Sequence, residues 1–104
     1  MVKEIETRAE FEEIISKNPI VIIDFFATWC GPCKVIAPKF VKFSEEYTNA
    51  VFIKIDVDKL GDIAAEYGVA AMPTFVIIKN GQKADSVVGA NPKGLEDKIK
   101  AHVQ

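Results

Sequence analysis

The sequence predicts an α/β fold in which a mixed sheet carries helices on both faces. Three observations lead there. Ile20 to Ala27 is apolar at every position except Asp24, and a strand apolar on both sides belongs at the centre of a sheet covered on both faces. The following segments read strand, helix, strand, a unit that makes two parallel strands with a right-handed crossover. Near the end, Asn80-Gly81 separates two β-forming runs, the pattern of a tight hairpin, so the last two strands should be antiparallel.

Each element has its own justification. Thr7 and Glu10 form a capping box ahead of Phe11, Ile14 and Ile15, with Glu12, Glu13 and Lys17 turned to water. Asn18-Pro19 stops this helix, and the Ile20–Ala27 strand follows. From Cys33 to Tyr47 the pattern is helical, with Ile36, Phe40, Phe43 and Tyr47 on one face and Lys39, Lys42, Glu45 and Glu46 mostly elsewhere. Pro38 removes a hydrogen bond inside it and should kink it. Val51 to Asp56 is the next strand. Leu60 to Tyr67 is a shorter helix ended by Gly68. Ala71-Met72-Pro73 is a turn, and Thr74 to Lys79 and Lys83 to Val88 are the hairpin strands, the second interrupted at Gly89. Asn91 caps a last helix that opens on Pro92 and buries Leu95, Ile99 and Val103. Patterning alone thus gives four strands and four helices.

Composition removes several functions. The 104 residues suit one domain, 1–104. Lys and Arg total 13 against 15 Asp and Glu, a formal charge of −2. That balance lacks the basic excess that binds nucleic acid or anionic lipid. Hydrophobic residues are 49%, ample for a core, yet no apolar run approaches the ~18 residues of a membrane span. Charges in Met1-Val2-Lys3-Glu4-Ile5-Glu6 stand where a signal peptide would be apolar, so the chain as given is expected to be soluble and untargeted.

The only cysteines are Cys30 and Cys33, in Trp29-Cys30-Gly31-Pro32-Cys33-Lys34. Zinc would need about four ligands, and only His102 could join them. A staple across so short a loop constrains the unfolded chain little, by roughly 2 kcal/mol. A redox pair is the third reading, because two adjacent thiols can pass an electron pair to a disulfide and close on each other. The βαβ setting favours it, since chemistry in open α/β sheets gathers beyond the carboxyl ends of the strands, where this pair lies.

Asp24-Phe25-Phe26-Ala27-Thr28-Trp29-Cys30-Gly31-Pro32-Cys33-Lys34 resembles the active-site segment of the thioredoxin family nearly letter for letter. Met72-Pro73-Thr74, Lys79-Asn80-Gly81 and Val88-Gly89-Ala90 resemble its other landmarks, in order and essentially from end to end. Ala27-Thr28-Trp29 and Gly89-Ala90-Asn91-Pro92 are similar to eukaryotic thioredoxins, with the fungal ones as the narrower candidate. Phe26 departs from many bacterial members, which carry Trp there. The resemblance implies the thioredoxin fold, a central five-stranded mixed sheet flanked by four helices. It implies a protein disulfide reductase that binds no cofactor and receives electrons from NADPH through thioredoxin reductase. Implied clients are ribonucleotide reductase, peroxiredoxins and methionine sulfoxide reductases. A cytoplasmic monomer is expected.

Site roles follow. Cys30 precedes a helix, whose free amides and dipole favour an anion; a lowered thiol pKa is itself a known property of the family and comes with the resemblance. Cys30 is the exposed nucleophile, and Cys33 resolves the mixed disulfide. Pro32 suits the helix start, Gly31 lets a target approach, and by resemblance Gly-Pro between the cysteines tunes the potential toward reduction. Asp24, an acid among Ile22, Ile23, Phe25 and Phe26, should be buried with a raised pKa and take the proton of Cys33, directly or through water. Lys54 matches the family lysine near this acid, or else snorkels from its strand to water. Pro73 alone would read as trans; the resemblance makes it cis and places it beside the disulfide, with the Met72 backbone free to pair with a target strand. Trp29, Gly31, Pro32, Ala71, Met72, Pro73, Val88, Gly89 and Ala90 should form an apolar contact patch around Cys30. Asp56 and Asp58 read as a turn and a helix cap rather than a metal pair, and His102 as a surface or edge residue. Two alternatives stay open: a disulfide oxidase or isomerase of the same fold, and a binding module or subunit with incidental thiols.

Overall fold

A computed structural model describes residues 1–103. The elements run β1 (Val2–Glu4), α1 (Arg8–Lys17), β2 (Ile20–Phe26), α2 (Gly31–Glu46), β3 (Val51–Asp56), α3 (Gly61–Glu66), β4 (Thr74–Lys79), β5 (Gln82–Val88) and α4 (Pro92–His102). The sheet order is β1-β3-β2-β4-β5. β2 is central, parallel to β3 and antiparallel to β4, and β4 and β5 form the antiparallel hairpin. The fifth strand, which patterning does not give, is β1. It is three residues long and pairs parallel to β3 at the sheet edge, Val2 beside Phe52 and Glu4 beside Lys54.

Alternation along β2 divides the core between two faces. Val21, Ile23 and Phe25 pack with Phe11 of α1 and with Ile63 and Ala64 of α3. Ile22 packs with Ile36, Phe40 and Phe43 of α2 and with Leu95 and Ile99 of α4. Asp24 follows Ile22 by two residues, so it shares the α2 face. Phe40 fixes α2 to the sheet, its ring centroid 5.3 Å from Phe52 and 5.5 Å from Phe75.

Local chemistry sets the boundaries. The Glu10 amide donates to Thr7 Oγ1, as a capping box requires, but the Glu10 carboxylate accepts from the Glu6 amide rather than from that of Thr7. Asn80 and Gly81 have φ of 53° and 83°, both positive as a two-residue hairpin turn of this kind demands. The Asn91 side chain caps α4 by accepting from Gly94. Pro38 removes one bond of α2 without ending it, because the carbonyl left unpaired belongs to Lys34, an exposed residue. Two expectations need correction. α2 begins at Gly31, not near Cys33, since Gly31 and Pro32 are its first two residues. Asp56 and Asp58 do make a turn, the Asp58 amide donating to Asp56 Oδ1, but α3 is preceded by Leu60 with no side-chain cap.

Truncating Phe40 to Ala should lower unfolding free energy by about 3–5 kcal/mol, the usual cost of emptying a filled aromatic site. Urea titration measures it; a loss below about 1 kcal/mol would contradict this packing.

Candidate active site

β2 ends at Phe26, and the chain turns through Ala27 to Trp29 before α2 begins. The Cys30 amide donates to the Ala27 carbonyl at 3.2 Å. Cys30 is the N-cap residue of α2, extended at φ −89° and ψ 110°, and its Sγ accepts the Cys33 amide N–H at 3.2 Å. A sulfur thus takes the place of the Ser or Asp oxygen that usually satisfies a free amide at a helix start. When it is reduced and ionised, the same amide and the helix dipole stabilise its charge. The two sulfurs are joined as a disulfide, with Cα atoms 5.4 Å apart. A Cβ on Gly31 would meet nothing within 4 Å, so the backbone there is open to an approaching chain.

Exposure does not separate the cysteines as expected. Cys30 is 5% exposed and Cys33 4%, because Ala27, Phe26, Val57 and Met72 pack around the pair. What distinguishes Cys30 is its position ahead of the helix, with Sγ 3.6 Å from the Met72 carbonyl oxygen. Met72-Pro73 is cis, as the resemblance implies and the residues alone do not. The Gly89 amide donates to the Pro73 carbonyl at 2.8 Å, and Val88 pairs with Thr74. The structure therefore brings Cys30, Met72, Pro73, Val88 and Gly89 to one end of the sheet. Pro73 is itself buried, while Gly31, Pro32, Ala71, Val88 and Ala90 are exposed. Trp29 is 67% exposed, and its Nε1 donates to Asp58 Oδ2 at 2.9 Å.

Asp24 is 4% exposed, and its Oδ1 has no hydrogen-bond partner. Burial pushes its carboxyl up to about 7, partly opposed by the charge of Lys54, its register partner across β2 and β3. Lys54 makes no ion pair with it; the ammonium sits 5.4 Å from the Phe26 ring centroid, a cation–π contact. Asp24, Lys54 and Cys33 line one cleft of about 260 Å³, with Thr28 and Lys34 at its rim. Lys54 is half-buried and is the strand neighbour of the acid. His102 lies away from the site and meets Asp85 Oδ2 at 3.0 Å. Among the described residues, no group of three or more His, Cys, Asp or Glu is placed to hold a metal.

The thioredoxin family model matches residues 2–101. The chain belongs to the thioredoxin family. It is 56% identical to Thioredoxin-1 of Schizosaccharomyces pombe over 99% of this chain and 100% of that one. A solved Plasmodium falciparum thioredoxin superposes with a TM-score of 0.94 at 46% identity, over 96% of this chain and 98% of that one. A chain in a structure on thiol resolution in yeast mitochondrial 1-Cys peroxiredoxin through the glutathione and thioredoxin systems superposes at 0.91 with 44% identity, over 96% and 94%. Thioredoxins are protein thiol–disulfide oxidoreductases, and this chain carries the redox-active cysteine pair. Two site features escaped sequence reasoning. The Trp29–Asp58 bond joins residues far apart in the chain. Ala37, which lines the cleft beside Asp24, carries no chemistry of its own.

A carboxyl held near 7 in the native state but at its ordinary value in the unfolded chain binds its proton more tightly when folded. Stability then falls as pH rises from about 4 to 7. Asp24→Asn, in the oxidised protein, should therefore raise stability by up to about 4 kcal/mol near pH 8 and by almost nothing near pH 4. Denaturant titrations of both proteins at the two pH values check this; a pH-independent difference would contradict the burial of a titrating acid.

Proposed function

We propose that this thioredoxin is a general reductant of protein disulfides, with Cys30 as nucleophile and Cys33 as resolving thiol. The Cys30 thiolate attacks one sulfur of a client disulfide, forming a mixed disulfide and releasing the first client thiolate. Cys33 then gives its proton to Asp24 and attacks Cys30 Sγ. The second client sulfur leaves with the electron pair, so the client gains two electrons and the protein keeps the Cys30–Cys33 disulfide. The observation that carries this reading is the Cys30 Sγ in the cap position of α2, accepting the Cys33 amide.

The other roles follow from position. Asp24 shares the cleft with Cys33, and a carboxyl near 7 can take and return a proton near neutral pH. Lys54 offsets part of the burial that favours the protonated acid, so it modulates Asp24. Gly31 and Pro32 set the potential and leave room for the client. The backbone at Met72, before cis Pro73, pairs with an extended client segment. Trp29, Val88, Gly89 and Ala90 supply apolar contact beside it.

In this reading the chain works as one domain, a monomer without bound cofactor in the cytoplasm, and thioredoxin reductase re-reduces it with NADPH. Among the described residues no helix is long and apolar enough to cross a membrane. Peroxiredoxins, ribonucleotide reductase and methionine sulfoxide reductases are the expected clients, and a peroxiredoxin is the subject of one structure that contains a similar chain.

NADPH consumption with a thioredoxin reductase and insulin should depend on this protein, and Cys33→Ser should accumulate a covalent complex with the client. Asp24→Asn should slow disulfide reduction by up to about 10²-fold at pH 7. Full turnover by Cys33→Ser would overturn the assignment of the two thiols.

A further inference from the structure

We propose that the outer face of α2 extends the client contact patch, with Val35 and Pro38 as its apolar centre and Lys34, Lys39 and Lys42 as its charges. It selects disulfide proteins whose surface beside the disulfide carries carboxylates around an apolar side chain. This rests on the reading of Cys30 as the sulfur that clients meet.

The face is continuous with the patch. Gly31 and Pro32 belong to both, as the first two residues of α2 and as exposed members of the surface around Cys30. Gly31, Val35, Pro38 and Lys42 follow at intervals of four, three and four residues, so they stand in one line along the helix. All four are exposed, and the line runs opposite the buried Ile36, Phe40 and Phe43. Lys42 lies about 17 Å along the helix from Gly31. Among the described residues, the exposed large apolar side chains are those of Met1, Trp29, Val35, Val41 and Val88. Trp29 and Val88 are in the patch, and Val35 and Val41 are on α2. Val35 is 76% exposed, a β-branched side chain where water favours a polar one and the helix favours an unbranched one.

The charges are of one sign and unanswered. α2 and α4 cover one face of the sheet and carry six lysines against four carboxylates. α1 and α3 cover the other and carry two cations against five carboxylates. The lysines of α1 and α4 each meet an acid: Lys17 meets Glu13, Lys93 meets Asp97, Lys98 meets Asp85 and Lys100 meets Glu96. Among the described residues, Lys34, Lys39 and Lys42 meet none. The sequence explains the difference. Lys34 and Lys39 have no carboxylate three or four residues away, the spacing at which helix side chains pair. Cations left unpaired within the fold are free to meet a partner's carboxylates, and the apolar centre between them gives that contact a dry core. In a chain of net charge −2, this face is where an acidic partner is drawn toward Cys30.

The test uses a disulfide-bridged peptide with a tail of Glu and Leu, about eight residues long so that it spans the face. The same peptide with a Ser tail, and with a tail of Lys and Leu, are the comparisons. At low ionic strength the acidic tail should raise kcat/KM about tenfold over the Ser tail, and in ~0.5 M salt the gain should fall to about twofold. Lys39→Glu with Lys42→Glu should abolish the gain and leave the Ser-tailed peptide within about twofold of the parent. Lys39→Gln with Lys42→Gln should remove most of it, and Val35→Ser the part that survives salt. Lys79→Glu with Lys83→Glu makes the same charge change on the hairpin, where Lys79 lies beside Ile20 at the far end of β2, and should keep the gain. If the parent reduces the Ser-tailed peptide but gains nothing from the acidic tail, the surface is overturned while the role of Cys30 stands. An equal gain from the Lys tail, or an equal loss in the hairpin variant, also overturns it. If the parent does not reduce the Ser-tailed peptide, the reading of Cys30 falls and the surface falls with it.

Discussion

The hydrogen bond from the Cys33 amide to Cys30 Sγ is the contact on which the rest of this structure bears. It exists only if α2 starts at Gly31, immediately after Cys30, and if that start lies beyond the carboxyl end of β2. Both conditions are met by packing. β2 is held on one side by β3 and on the other by β4, and Phe40 locks α2 to the same sheet through Phe52 and Phe75. A stiff scaffold thus aims one free amide at one sulfur. The cost of leaving that amide unmatched, about 1–3 kcal/mol, favours this arrangement of the loop over one that turns the sulfur away.

Asp24 shows the opposite economy. It weakens the fold, since a carboxylate in the β2–α2 interface lacks a hydrogen-bond partner at Oδ1. Lys54 answers it only at a distance, its ammonium resting over Phe26 instead. The weakness is what gives the acid a proton affinity suited to neutral pH. Were the two ion-paired, the carboxyl would hold its charge at neutral pH.

Much of this was legible in the residues. The doubly apolar β2, the Asn80-Gly81 hairpin and the Asn91-Pro92 helix start each follow from local chemistry, and the structure has them. Asp24 was legible as a buried acid because its neighbours are all large and apolar. What the patterns missed has physical causes too. β1 is three residues at a sheet edge, two of them charged, and too short for alternation to show. Gly31 and Pro32 are poor helix formers yet open α2, because the first turn needs neither a side chain nor an amide from them. The burial of Cys30 comes from Met72 and Val57, distant in sequence. The cis bond at Pro73 came from resemblance, since X-Pro residues by themselves favour trans.

The central claim is that position at the helix start, rather than exposure, makes Cys30 the reactive sulfur. Alkylation of the reduced protein by iodoacetamide at pH 7, resolved residue by residue by mass spectrometry, tests it most directly. Cys30 should react at least about tenfold faster than Cys33 and faster than free cysteine, because only the thiolate reacts and the α2 amide favours it. Equal rates for the two cysteines, or a slower Cys30, would contradict the account.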